Sequence, residues 1–184
     1  MAKKSLKDIP QMTNAGNYQV NVDWEYLLHW IDEHLRIGRG SAILDLNPDF
    51  QRGHVWNVKQ QRKYVEYKMK NGPGADVIYF NCIGWMDDFR GPFVIVDGLQ
   101  RLTAVTKFMK NKLRVFKGLS DDKVGFIHSD FIGLMRLMRG CEFIINVNNL
   151  KNRKEVLTWY LEMNSGGTPH TKKELNKVKE LLKK

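Results

Sequence analysis

The sequence predicts an α+β fold: one domain in which a small mixed sheet is surrounded by helices. Three observations carry this expectation. Val77-Ile78-Tyr79-Phe80 and Phe93-Val94-Ile95-Val96 are dense in β-branched and aromatic residues, the composition of strands. Around them, apolar residues recur at the three- and four-residue spacing of helices. The chain has 184 residues, a length that suits one compact domain, and its 42% hydrophobic content is enough for a core.

Residues 1–16 are polar and mixed and read as a flexible leader; residues 17–184 form the domain. Asp23 is placed to cap a helix carrying Trp24, Leu27, Leu28, Ile31 and Leu35, with Gly38 as its stop. Asn57 and Gln60 form a capping box for a second helix with Val58, Tyr64, Val65 and Met69, ended by Asn71-Gly72-Pro73-Gly74. The two strands follow. Phe93–Val96 is apolar throughout, so it is expected inside the sheet and buried on both faces. It runs into Asp97-Gly98 and a third helix with Leu102, Val105, Phe108 and Met109 on one face. Leu113–Phe116 is expected as a short strand, followed by a mainly helical stretch to Met138. Phe143-Ile144-Ile145 with Val147 is a further strand, and a helix from about Lys151 to Met163 buries Val156, Leu157 and Tyr160 or Leu161. Thr171 and Glu174 open a final helix through Leu181 and Leu182.

Composition narrows the function classes. No apolar run is long enough to span a bilayer, and the N-terminus lacks the apolar stretch of a secretory signal. Cys82 and Cys141 stand far apart and form no disulfide framework, which fits a reducing cytoplasm. The histidines (His29, His34, His54, His128 and His170) show no metal-ligand spacing. The net charge is +10, of which residues 1–8 hold +2 and residues 172–184 hold +4. Such lysine-rich ends either grip nucleic-acid phosphates or simply keep the protein dissolved.

Three segments carry candidate chemistry. In Asp97-Gly98-Leu99-Gln100-Arg101 a strand ends at a glycine and a helix starts. The first amides of a helix lack internal partners and face the positive end of its dipole, so an anion is favoured there. Arg101 can fork onto phosphate, Asp97 can hold magnesium or orient a water, and Gln100 can position that water. The same residues also fit an ordinary strand-to-helix turn, with Asp97 as N-cap and Arg101 on the surface. Pro48-Asp49-Phe50-Gln51-Arg52-Gly53-His54-Val55-Trp56 sets polar groups between two aromatic anchors, Phe50 and Trp56; otherwise it is a packed loop with its polar groups in water. Asn164-Ser165-Gly166-Gly167 either presents backbone N–H groups to an anion or is a plain helix stop.

The order P-x-F-Q-R-x-x-x-W, then strand–D-G-x-Q-R-L-T, then N-S-G-G-T-P, resembles the N-terminal domain of GmrSD-type modification-dependent restriction endonucleases, in the ParB/sulfiredoxin-like superfamily. The resemblance runs from about Tyr18 to Leu182, with Leu99 and His170 standing where the family usually has glutamine and leucine. It implies a nucleoside triphosphate site with magnesium and hydrolytic activity. Asp97, Gln100 and Arg101 would be its catalytic residues and Asp97 its metal ligand. Gln51, Arg52, Gly98, Arg101, Asn164 and Ser165 would contact the nucleotide. The histidine-dependent nuclease half of such enzymes is not among these residues, so a nuclease partner in trans and DNA held by the lysine-rich ends are the further expected partners. The setting implied is the cytoplasm of a prokaryotic or phage-infected cell. The alternative is a DNA-binding or nuclease-accessory module without turnover; a third reading is an interaction protein that kept the fold and lost the chemistry.

Overall fold

The computed structural model describes residues 12, 13, 16, 18–35, 44–51, 53, 55–87, 91–131, 140–165 and 172–182. The side chains of 33–35, 165 and 172–175 lie outside that description. The fold is α+β, built on one five-stranded sheet. In chain order the elements are β1 (Tyr18–Asp23), α1 (Trp24–Leu35), β2 (Leu44–Asp45), α2 (Val58–Met69), β3 (Val77–Asn81), β4 (Phe93–Asp97), α3 (Leu99–Met109), β5 (Glu142–Asn148), α4 (Arg153–Ser165) and α5 (Lys172–Leu181). Across the sheet the order is β1-β5-β3-β4-β2. β1 is antiparallel to β5 and β4 is antiparallel to β3, whereas β3 with β5 and β2 with β4 are parallel, so the sheet is mixed.

Alternation along β4 divides the core in two. Phe93 and Ile95 join Ile78, Phe80, Phe143 and Ile145 under α1, α2 and α3. Val96, with Val94 and Tyr79 beside it, faces α4 and α5, where Val156, Leu157, Trp159, Tyr160 and Val178 close a second cluster. Side chains alternate across a strand, so a strand apolar at every position needs cover on both faces. β4 has it, as its sequence predicted.

The helix starts follow local chemistry. The Asp23 carboxylate accepts from the Tyr26 amide at 2.9 Å. The Asn57–Gln60 capping box is present in both directions, at 2.9 and 3.0 Å. Asn152 accepts from the Glu155 amide at 3.0 Å, which moves the start of α4 to Arg153.

Other expectations need correction. Leu113–Phe116 is not a strand; Val115 and Phe126 make one isolated bridge. The described residues from 117 to 131 are turns and one 3-10 turn, His128–Asp130, rather than helix. Ser120 and Asp122 explain this, because their short polar side chains bind backbone amides in competition with a helix, and Gly125 turns the chain at φ of 86°. Ser120 Oγ accepts from Gly125 N at 2.8 Å, and Asp122 accepts from Val124 N at 2.9 Å. That Val124 N–H bond is the main reason the Asp122 carboxyl lies below its ordinary range. Val58, expected on the buried face of α2, is exposed. β1 and β2 were not foreseen. Gly38 and the Thr171 half of the last capping box lie outside the described residues.

Candidate functional site

β4 ends at Asp97, and the chain turns at Gly98 with φ of 99°. A side chain there would be strained, and a Cβ would sit 3.2 Å from the Ile78 Cα of neighbouring β3. The turn therefore requires glycine on both counts. Gly98, not Asp97, is the N-cap of α3, and it supplies no side-chain cap. The first internal bond of the helix runs from Leu102 N to Gly98 O at 2.9 Å. Leu99, the departure from the family pattern, is buried in the main core and anchors this first turn.

Freed from capping, the Asp97 carboxylate pairs with the Arg101 guanidinium at 2.5 Å, one helical turn away. The guanidinium is 18% exposed and the carboxylate 40% exposed, so the pair is reachable from solvent on its acidic side. Arg101 also acts across to α2. Burial raises the Tyr64 hydroxyl well above its ordinary pKa, and the nearby positive charge of Arg101 partly offsets that rise. Tyr64 donates to Ala75 O at 2.8 Å.

The Pro48–Trp56 loop is fastened to this turn from both sides. Gln51 Nε2 donates to Val96 O at 2.7 Å and Ile95 O at 3.3 Å. Those carbonyls lie beyond the two residues that β2 pairs, Phe93 and Val94. A side-chain amide thus continues the role of a strand that has stopped. Gln100 Nε2 donates to Gly53 O at 2.7 Å, while its Oε1 accepts from Val55 N at 2.9 Å and Trp56 N at 3.0 Å. The two aromatics are anchors, as the sequence suggested: Phe50 packs on Tyr160 at 5.2 Å and Trp56 on Tyr64 at 5.6 Å.

The structure therefore brings Gln51, Asp97, Gly98, Gln100 and Arg101 together. Arg52 lies outside the described residues, although Gln51 and Gly53 on either side of it are bonded to β4 and α3. Asn164 turns its Nδ2 back to Tyr160 O at 2.7 Å, and no bond links it to the Asp97–Arg101 turn. Ser165 ends α4, with its side chain outside the description. Sequence reasoning missed that α4 and α5 clamp the loop: Arg153 pairs with the Asp49 carboxylate at 2.6 Å, and Lys177 donates to Asp49 O at 2.8 Å. No local signal could reveal partners more than a hundred residues apart.

Among the described residues no group of three or more His, Cys, Asp or Glu side chains could hold a metal ion. Among the described residues no helix is long and apolar enough to cross a membrane.

Fold and turn together define an α+β domain with an Asp-Gly-x-Gln-Arg element leading from an inner strand into a helix. The family model described as "GmrSD restriction endonuclease, N-terminal domain" matches residues 33–136, more than half of the chain, and the chain belongs to that family. Neither the comparison with curated proteins nor that with solved structures gave a match.

Proposed function

We propose that this domain binds a nucleoside triphosphate at the Asp97–Arg101 turn and hydrolyses it with magnesium, as part of a restriction system. The observation that carries the reading is an acid and a guanidinium in contact at an uncapped helix start, behind a turn that only glycine fits. Phosphates would meet the free amides of α3 and draw Arg101 from Asp97 onto their oxygens, exchanging one charge-assisted contact for another. Asp97 would then be released to hold magnesium, which when bound neutralises charge on the phosphates. Gln100 keeps the Gly53–Trp56 segment against the turn, so it acts as a positioning residue whose remaining N–H can reach a ligand. Gln51 fixes the preceding residue pair in the same way, and Arg52 follows it in the chain. A nuclease partner in trans and a cytoplasmic setting in a prokaryotic or phage-infected cell belong to this proposal.

The test is a thermal-shift screen of common nucleotides with and without magnesium, since a ligand that binds only the folded state raises Tm. A magnesium-dependent shift is expected for at least one triphosphate. Arg101→Ala should weaken that binding roughly tenfold or more, as expected for loss of a charge-assisted hydrogen bond of about 1.5–3 kcal/mol. Arg101→Lys should restore part of it, because lysine keeps the charge without the fork. An Arg101→Ala protein that melts lower yet binds nucleotide as tightly would mean that the Asp97 pair is structural and the site assignment wrong.

A further inference from the structure

A cationic groove runs along α2, on a face other than the one that carries Tyr64. An open groove of about 550 Å³ is lined by Lys59, Arg62, Lys63 and Glu66 of α2, by Lys70 at the end of that helix, and by Phe116–Leu119 opposite. The α2 residues follow one another at three- and four-residue steps, so they form one face of the helix. From Lys59 to Lys70 this face extends roughly 16 Å at about 1.5 Å per residue. Its single acid is turned inward: Glu66 accepts from the Phe116 amide at 2.6 Å. Arg62 Nε likewise donates to Arg114 O at 2.8 Å, tying the far wall to the helix. Among the described residues no carboxylate pairs with Lys59, Lys63, Lys70 or Lys117. Glu66 and Arg62 thus tie the two walls of the groove together while lining it with the lysines.

We propose that this groove binds the phosphate backbone of double-stranded DNA without regard to sequence. Charge complementarity is the first argument. The lining holds five cations (Lys59, Arg62, Lys63, Lys70 and Lys117) against the single Glu66 carboxylate, and such an excess gains from a polyanion, whose condensed counter-ions are released as the two bind. Shape is the second. A rigid row of roughly 16 Å matches about five steps of a duplex strand at about 3.4 Å each. A single strand is the poorer fit, because single-strand binders offer open aromatic rings to the bases. The one ring here, Phe116, is covered by the Lys70 ammonium at 5.4 Å from its centre. The proposal does not rest on the nucleotide site, and it locates DNA binding on the body of the domain rather than at its lysine-rich ends.

The experiment measures fluorescence anisotropy of a labelled duplex of arbitrary sequence, about 20 base pairs long, with the full chain over a range of salt. The groove variant is Lys59→Gln/Lys63→Gln/Lys117→Gln, three exposed positions whose replacement leaves the core untouched. The control is Lys154→Gln/Lys172→Gln/Lys179→Gln on α4 and α5, which has the same net charge change on the other side of the sheet. The groove variant should lose affinity on the order of tenfold or more and flatten the log-affinity against log-salt slope by about 2.7, for three phosphate contacts. The control should lose far less, and both should keep the parent Tm. Equal losses in the two variants would mean that net charge alone acts, and would overturn the assignment. So would unchanged duplex binding by the groove variant, or an equal loss of binding to polyglutamate. Stronger dependence for a single strand than for the duplex would overturn the choice of partner.

Discussion

Gly98 is the residue on which the local geometry turns. Its φ of 99° and the 3.2 Å approach of a would-be Cβ to Ile78 Cα mean that alanine must strain the backbone and push β3 away. Gly98→Ala should cost about 1–3 kcal/mol, read as a lowered urea midpoint with unchanged slope. An unchanged midpoint would show that the turn relaxes freely. Cys141 makes a different residue-scale prediction. It is fully buried, and burial pushes its thiol up to about 12 from an ordinary value of 9.0. The folded state therefore keeps the proton that the unfolded state loses above about pH 9. The contribution is complete below that pH and fades as pH rises toward 12. Stability should fall between those limits, and Cys141→Ala should show a shallower fall in the same chemical-denaturation series.

Elements show how much of the molecule was legible. Among the described elements, β3, β4, β5 and the five helices were readable from their own periods or caps, such as Asn57 with Gln60, Asp23 before Trp24, and the unbroken apolar run of Phe93–Val96. β1 was missed although Tyr18-Gln19-Val20-Asn21-Val22 alternates, because its polar positions read as loop until β5 pairs with it. β2 has two residues, too few for any period. The Asp-Gly-x-Gln-Arg turn stood out in the chain, and the family resemblance set Gln51 beside it; the bonds that hold the loop there did not show, since side-chain amides bonding to strand carbonyls leave no sequence period. That attachment is testable through Gln100, which satisfies the amides of Val55 and Trp56 and the carbonyl of Gly53 at once. Gln100→Ala should raise hydrogen exchange at Val55 and Trp56 while Val105 and Phe108, deep in α3, stay protected. If all four sites quicken together, the amide holds the helix as a whole and not the loop.

At the scale of the molecule, the second core cluster joins the candidate site to the C-terminal helix. Phe50 of the loop, Val96 of β4, Tyr160 of α4 and Val178 of α5 share it. Val178 is 1% exposed, and Lys177 beside it bonds Asp49 O. The lysine-rich helix is therefore part of the domain's packing, with its Val178 side seated and Lys179 exposed. Truncating it would open the cluster beneath the loop, so any loss of binding in a truncated chain would mix packing with charge. Point variants separate them. Val178→Ala removes two buried methyl groups and leaves a small cavity, a cost of about 1–3 kcal/mol by scale with larger core truncations. Lys179→Gln, at an exposed position, should stay within about 0.5 kcal/mol of the parent. Phe50→Leu disturbs the same cluster from the loop side, and residues in one packed cluster are not additive. The double variant Val178→Ala/Phe50→Leu should thus differ from the sum of the singles by about 0.5 kcal/mol or more in a denaturant cycle. Additive losses would mean that α5 and the loop rest on separate supports, and that the C-terminal helix has no mechanical hold on the Asp97–Arg101 turn.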